Sequence, residues 1–224
     1  MPAKKPPVSN ALLERITKRL YVPVVCDILD GLGIRDHTLR HDIRPLFPEA
    51  RFVGRAATAL AMDVYEDPEK PYDRLMSAID ALTPGDCLVC ATNGSMRGGL
   101  WGELLSTAVR ARGATGVVLD GATRDTLAII KMKFPVFARG IMSADSKGRV
   151  EVVDIACPIH CGDVPVRPGD VVFGDHDGVV VIPQALTAEV VRRAEEKVSG
   201  ENTVRKALAG GMSVRAAFKK YGIL

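Results

Sequence analysis

The sequence predicts an α/β fold with a central parallel or mixed sheet, an antiparallel layer and a C-terminal helix. Three observations carry this expectation. Between about residues 87 and 138, short apolar runs alternate with helical spacing, a β-α-β-α-β order that favours parallel strands. After about residue 148, short strands are punctuated by Pro168-Gly169-Asp170 and Asp175-His176-Asp177-Gly178, turn sequences that favour antiparallel pairing. From about residue 184 to 209 a charged stretch keeps helical spacing.

The elements follow in order. Ser9-Asn10 caps a helix over about 11–20, with Leu12, Leu13, Ile16 and Leu20 on one face. Pro23 suits the first turn of a second helix, Val24 to Leu29, which Gly31 and Gly33 stop. An irregular segment leads to a strand from Arg51 to Val64. Pro71 opens a helix whose apolar side carries Leu75, Met76, Ile79 and Leu82, and Pro84-Gly85-Asp86 turns the chain into the strand Cys87–Ala91.

A glycine loop then precedes a helix over about 102–112, the strand Gly116–Leu119, a turn at Asp120-Gly121, and a helix opened by Arg124-Asp125. The next strand is Phe134–Ala138. Further strands lie near 149–154, 163–166, 170–174 and 178–182, and Ser213 caps a last short helix. Residues 1–8 read as a disordered tail and 9–224 as one domain.

Composition narrows the function. Of the 224 residues 47% are hydrophobic and only 5% aromatic, and the net charge of +3 is spread along the chain. Nucleic-acid binding therefore has neither an electrostatic footprint nor stacking platforms. No apolar run is long enough to span a membrane, and the basic start Met1-Pro2-Ala3-Lys4-Lys5 lacks the apolar stretch of a signal peptide. Five cysteines, an odd number in apolar surroundings, fit reduced thiols in a cytoplasm.

Cys87 and Cys90 lie three apart on a strand, so they face opposite ways and read as core thiols rather than zinc ligands. His160-Cys161 is a conceivable nucleophile pair without an orienting third group. His176 reads as a hairpin tip, whereas His37 and His41 lie in an irregular loop within reach of a site.

The chemistry concentrates in Gly98-Gly99-Leu100-Trp101-Gly102-Glu103-Leu104-Leu105 and, after twenty residues that separate it from Glu103, Arg124-Asp125. One helix and one strand fill that interval and run back to back, so its ends converge. The glycines admit close approach to a ligand, and the helix start offers the N–H groups of Leu104 and Leu105 to an anion. Arg124 can clamp a carboxylate, and Asp125 can supply an oxygen ligand to Mg²⁺ or Mn²⁺. Taken singly, the glycines read equally well as a plain turn, and Arg124 and Asp125 read better as a surface ion pair and a helix-start acid than as a site.

In combination these motifs resemble the RraA-like family, which includes the regulator of ribonuclease activity A and class II 4-hydroxy-4-methyl-2-oxoglutarate/4-carboxy-4-hydroxy-2-oxoadipate aldolases. The family pattern, G-x-x-x-G-[D/E] followed after twenty residues by R-D, stands here as Gly98, Gly102-Glu103 and Arg124-Asp125. Gly54-Arg55-Ala56, Pro84-Gly85-Asp86, Arg167-Pro168-Gly169-Asp170 and the segment from Asp175 to Pro183 agree with it, so the likeness covers roughly residues 10–210.

The resemblance implies a swivelling β/β/α-type domain assembled as a homotrimer or homohexamer, with sites between subunits. It implies a carbon–carbon lyase with a small 2-oxo acid substrate, in which Asp125 binds Mg²⁺ or Mn²⁺ directly. Glu103 would hold a metal-bound water, Arg124 the pyruvate unit, and Gly102, Leu104 and Leu105 the substrate carboxylate. A glutamate from a neighbouring subunit's C-terminal helix, Glu201 first and Glu196 second, would complete the water network.

Retro-aldol cleavage of a 4-hydroxy-2-oxo acid leaves a pyruvate enolate, whose charge a divalent cation and Arg124 would stabilise. Oxaloacetate decarboxylation leaves the same enolate and is the expected side activity. Lys131 and Lys133 are the competing Schiff-base candidates. The chain carries Glu103 where the best-defined aldolases have Asp, and Trp101 stands beside the loop. The alternative is a non-catalytic regulator acting by protein contact.

Overall fold

The computed structural model describes residues 7–223. Helices α1 (Asn10–Arg19) and α2 (Val22–Gly31) lead through β1 (Arg44–Pro45) into the long strand β2 (Phe52–Asp63). Then follow α3 (Asp73–Asp80), β3 (Asp86–Ala91), β4 (Gly99–Trp101), α4 (Glu103–Ala111), β5 (Gly116–Thr123), α5 (Thr126–Lys131) and β6 (Val136–Ile141). The last third holds β7 (Val150–Ile155), β8 (Ile159–Cys161), β9 (Val164–Val166), β10 (Val171–Asp175), β11 (Gly178–Ile182), α6 (Thr187–Ala209) and α7 (Val214–Tyr221).

Among the described residues nine strands form one mixed sheet, in the order β1-β6-β5-β3-β2-β10-β11, with β4 added to β5 and β7 to β2. The centre is parallel: β2 with β3, β3 with β5, and β5 with both β4 and β6. The flanks are antiparallel, through β10 and β11 and through β7 on the far half of β2. Strands β8 and β9 form a separate hairpin. The expected combination of a parallel centre and an antiparallel layer is the architecture found.

Strand alternation explains how one sheet serves two cores. On β3, Leu88 and Cys90 face a cluster containing Ile79, Val109 and Ile129 from α3, α4 and α5. Cys87 and Val89 face the opposite cluster, with Phe52, Phe137 and the β8–β9 hairpin. A third cluster packs α1, α2 and α6 on β10 and β11 through Ile16, Leu29, Val190 and Phe173. Each such fully buried side chain contributes about 1.5–3 kcal/mol. No helix among the described residues is long and apolar enough to cross a membrane.

Several boundaries differ from expectation for identifiable reasons. The disordered tail expected over residues 1–8 lies, for residues 1–6, outside the described residues, whereas Val8 is buried against α1 and its carbonyl accepts from Arg55. Asp120-Gly121 is no turn: β5 runs on to Thr123 with a register shift beyond Leu119. There the Asp120 carboxylate accepts both the N–H and the hydroxyl of Thr92, so a turn-type residue is consumed inside the sheet. Strands β4 and β8, three residues each, lie inside what reads as loop. Ser9 and Ser213 do cap their helices, accepting from Leu12 and Ala216.

Candidate active site

The site grows from the carboxyl end of β5. Because β4 pairs in parallel with β5, the turn after Trp101 lies beside the turn after Thr123. Two bonds lock them together: the Arg124 N–H and the Thr123 hydroxyl both donate to the Trp101 carbonyl, at 2.8 and 3.0 Å. Asp125 takes a left-handed backbone (φ 55°, ψ 30°), which asparagine and aspartate tolerate better than other side-chain-bearing residues. That kink turns the chain into α5 and aims the carboxylate at Gly102 and Glu103.

Gly102 is extended (φ −150°), so its backbone does not demand glycine; the space does. A Cβ here would stand 2.5 Å from Asp125 Oδ2. The same oxygen accepts the Glu103 N–H at 3.3 Å. Ser106 fixes the other side of the turn, receiving a hydrogen bond from Trp101 Nε1 at 2.8 Å and donating its hydroxyl to the Gly102 carbonyl at 2.9 Å. The first helical bond of α4, from Ser106 N–H to Gly102, leaves the N–H groups of Leu104 and Leu105 without helical acceptors.

These residues border a cavity of about 250 Å³, whose rim includes Gly102, Leu104, Leu105, Arg124 and Asp125. Arg124 is partly exposed; its Nη1 lies 3.4 Å from Asp145 Oδ1 and its Nε 3.8 Å from Asp125 Oδ2. On the other side of Asp125, a shallower hollow is lined by Glu103, Asp125 and the start of α5. Glu103 Oε1 accepts the Thr107 hydroxyl at 2.8 Å, which steadies the carboxylate one turn along its own helix. Asp125 thus belongs to both depressions, with Arg124 on one side and Glu103 on the other.

Two further side chains complete the cavity, and sequence reasoning missed both. Tyr72, at the start of α3 with φ 63°, donates its hydroxyl to Asp145. That hydrogen bond, together with burial, pushes the phenol up to about 12. Burial alone would raise Asp145, but the bonds from Tyr72 and the Ser146 N–H, with Arg124 nearby, hold its carboxyl below the usual range. Neither residue sits in a motif with readable spacing, because α3 and the loop after β6 reach the cavity only through tertiary folding. Trp101 is buried along the cavity wall.

The other candidates lie elsewhere. Glu201 accepts the Tyr21 hydroxyl, Glu196 pairs with Arg192 at 2.8 Å, and neither lines the cavity of its own chain. Lys131 and Lys133 are exposed and do not line it. His37 is buried against Asp30 and Thr38 instead of reaching the site. The Cys161 thiol is buried against the Cys90 carbonyl, and burial pushes it well above the ordinary thiol range, so it is no thiolate nucleophile. His160 borders a second polar cavity in which Arg40 and Arg139 are both paired with Asp42.

The family model described as RraA-like, aldolase/RraA, matches residues 22–181. A protein of Halalkalibacterium halodurans, provisionally named 4-hydroxy-4-methyl-2-oxoglutarate aldolase, is 33% identical over 218 residues, covering 95% of this chain and 98% of its own. An uncharacterized protein from Pseudomonas syringae has a similar structure, with a TM-score of 0.86, 28% identity and 99% of both chains covered. Streptomyces coelicolor RraAS2, described as an unusual member of the RNase ES inhibitor RraA family, aligns with a TM-score of 0.81 at 27% identity, over 88% of this chain and 98% of its own. A match across most of the chain, with Gly102-Glu103 and Arg124-Asp125 inside the matched span, shows that the chain belongs to the RraA-like family.

Proposed function

We propose that the protein is a divalent-metal-dependent lyase that cleaves a 4-hydroxy-2-oxo acid by a retro-aldol reaction to give pyruvate, with oxaloacetate decarboxylation as a side activity. The observation that carries this reading is the space Gly102 leaves for the Asp125 carboxylate, beside Arg124 and two unpartnered helical N–H groups.

The donor set suits Mg²⁺ or Mn²⁺. Asp125 and Glu103 are hard oxygen donors, and the described residues contain no group of three or more His, Cys, Asp or Glu side chains placed to enclose a metal. A small dication that keeps most of its waters needs only one or two carboxylates together with substrate oxygens. Asp125 would hold it directly and Glu103 through water. When bound, such an ion supplies a Lewis acid for negative charge on the pyruvate unit.

The remaining work falls to this chain's residues. Arg124 and the Leu104 and Leu105 N–H groups bind the 2-oxo acid carboxylate and fix its orientation. Glu103 receives the proton of the substrate's 4-hydroxyl by way of a water. As that O–H bond breaks, a carbonyl forms at C4 and the C3–C4 bond cleaves. Its electron pair stays with the pyruvate unit, where Arg124 counters the charge until C3 takes a proton back from Glu103 by way of the same water. The exposed apolar side chains of Met76, Leu104 and Leu127 beside the two depressions support assembly into a homotrimer or homohexamer, with Glu201 or Glu196 contributed across the contact.

The test is pyruvate release from oxaloacetate and from 4-hydroxy-4-methyl-2-oxoglutarate, with Mg²⁺ or Mn²⁺ and then with EDTA. Release abolished by EDTA and restored by metal is expected, and Arg124→Ala should lower it by at least about tenfold. A second reading, regulation by protein contact, draws on the likeness to the Streptomyces coelicolor protein. Failure to release pyruvate with either metal, together with capture of a ribonuclease by the immobilised protein, would favour it.

A further inference from the structure

A clamp on a carboxylate needs the Arg124 guanidinium in one orientation, yet this side chain is long, flexible and partly exposed. Its stem lies against the glycine turn, where a Cβ on Gly99 would stand 3.1 Å from the Arg124 Cβ. Two carboxylates of the same chain flank its head. Asp125 Oδ2 lies 3.8 Å from Nε, and Asp145 Oδ1 lies 3.4 Å from Nη1. Neither is a close hydrogen bond, so the head is directed while its donors stay open to a ligand. Glu103, on the far side of Asp125, is tied to Thr107 instead.

Asp145 is itself a fixed post. Its Oδ1 accepts the Ser146 N–H at 2.8 Å, and its Oδ2 accepts the Tyr72 hydroxyl. The loop that carries it is bound to the glycine turn, the Gly99 N–H donating to the Ala144 carbonyl at 2.8 Å. It is bound to β5 as well, through the Met142 N–H and the Thr123 carbonyl at 3.0 Å. Tyr72 is held at its other end, where its N–H donates to Glu151 Oε1 of β7 at 3.1 Å. Its left-handed backbone, φ 63°, is uncommon for so bulky a residue and sends the ring toward Asp145. All these bonds lie within one chain, so they stand whatever groups a neighbouring subunit adds at the rim.

We propose that Asp145 is a positioning residue of this site: held in place by Tyr72, it aims the Arg124 guanidinium at the carboxylate of the 2-oxo acid. The inference rests on the lyase reading and adds to it a residue that acts only through Arg124. Without Asp145 the positive charge of Arg124 remains for the cleavage step, but its direction is lost. The loss therefore falls on substrate binding and little of it on the step that breaks the bond.

The test is steady-state pyruvate release from oxaloacetate by the full chain with Mg²⁺ in excess, corrected for the rate without enzyme. Asp145→Ala should raise KM about fivefold or more and leave kcat within about twofold. Asp145→Asn keeps an oxygen acceptor and should recover part of that loss. Tyr72→Phe leaves the N–H bond to Glu151 in place and should raise KM less, because Asp145 keeps its bond from Ser146. The decisive comparison is made in the Arg124→Ala background. There Asp145→Ala should lower kcat/KM no further, whereas a residue that merely supports the fold would add its full loss. An unchanged KM in Asp145→Ala, or an equal loss with and without Arg124, overturns the proposal. Should Asp145→Ala fail to fold, Asp145→Asn and Tyr72→Phe carry the same comparison, and no rise in KM in either is the overturning result. Native release with unaffected variants sinks the positioning role alone; no native release with either metal sinks the lyase reading and this role together.

Discussion

The backbone of Gly102 and the carboxylate of Asp125 occupy adjoining space, so that a methyl group on Gly102 would reach within 2.5 Å of Asp125 Oδ2. The extended backbone at Gly102 accepts alanine without strain, and the atom in the way is the free end of a side chain. Gly102→Ala should therefore fold with a stability change within about 1 kcal/mol, yet displace the carboxylate. Misplacement on that scale lowers turnover by about tenfold or more. Pyruvate release alongside thermal denaturation checks this; an alanine variant with full activity would show that Asp125 does not work from the position seen here.

Asp125 has a conformational duty besides its charge, and two substitutions separate them. Asparagine keeps the left-handed backbone and can still accept the Glu103 N–H, so Asp125→Asn should preserve the fold while reducing metal-dependent pyruvate release by about a hundredfold or more. Asp125→Ala should lose activity as well and also about 1 kcal/mol of stability, from a residue poorly suited to φ 55°. Urea unfolding of both variants distinguishes the two losses. Equal stability would remove the strain argument, and an active asparagine variant would remove the metal assignment.

The heart of this site was legible because its geometry is local. Glu103 and Arg124 are linked by a single α-β unit, and such a unit returns the chain to where it left, so the spacing alone places them together. Cys87 and Cys90 were legible for the same kind of reason, since strand alternation sends them into opposite cores. Tyr72 and Asp145 were not, because their meeting depends on how α3 packs against β7 and β2 and on the loop after β6. Asp120-Gly121 misled because a turn-forming pair was held in the strand by Thr92, a partner 28 positions away. Composition reports preferences, whereas a side-chain hydrogen bond across the sheet can override them.

Away from the site, Arg55 ties the N-terminal segment to the sheet. Its Nε donates to Asp86 at 2.9 Å, Nη1 to the Val8 carbonyl and Asn10, and Nη2 to the Pro84 carbonyl. Both members of the ion pair are largely buried, 13% and 16% exposed. Arg55→Leu would leave the Asp86 carboxylate without its countercharge and three acceptors without their donor, a loss of about 3 kcal/mol. The denaturant midpoint should fall accordingly while pyruvate release by the folded variant stays unchanged. A shift of under about 0.5 kcal/mol would mean that solvent replaces these bonds without cost.

The tyrosines offer a test of the cavity that needs no substrate. Burial and a bond to Glu201 push Tyr21 up to about 12, and Tyr72 reaches about the same value through its bond to Asp145. Both folded values exceed the ordinary value of 10.0, so the stabilising contribution is fully present below pH 10 and is lost as pH rises through about 12. Ultraviolet difference titration should accordingly show two late steps among the four tyrosines. Tyr72→Phe, which changes no backbone preference at φ 63°, should remove one of them and leave the step belonging to Tyr21. Asp145→Asn should instead bring the Tyr72 step down toward the ordinary value, because the phenolate would no longer face a negative charge. If Tyr72→Phe leaves both late steps in place, the bond to Asp145 is not formed in solution. Asp145 would then be free to turn away from Arg124, and the cavity would lose the carboxylate that faces this guanidinium.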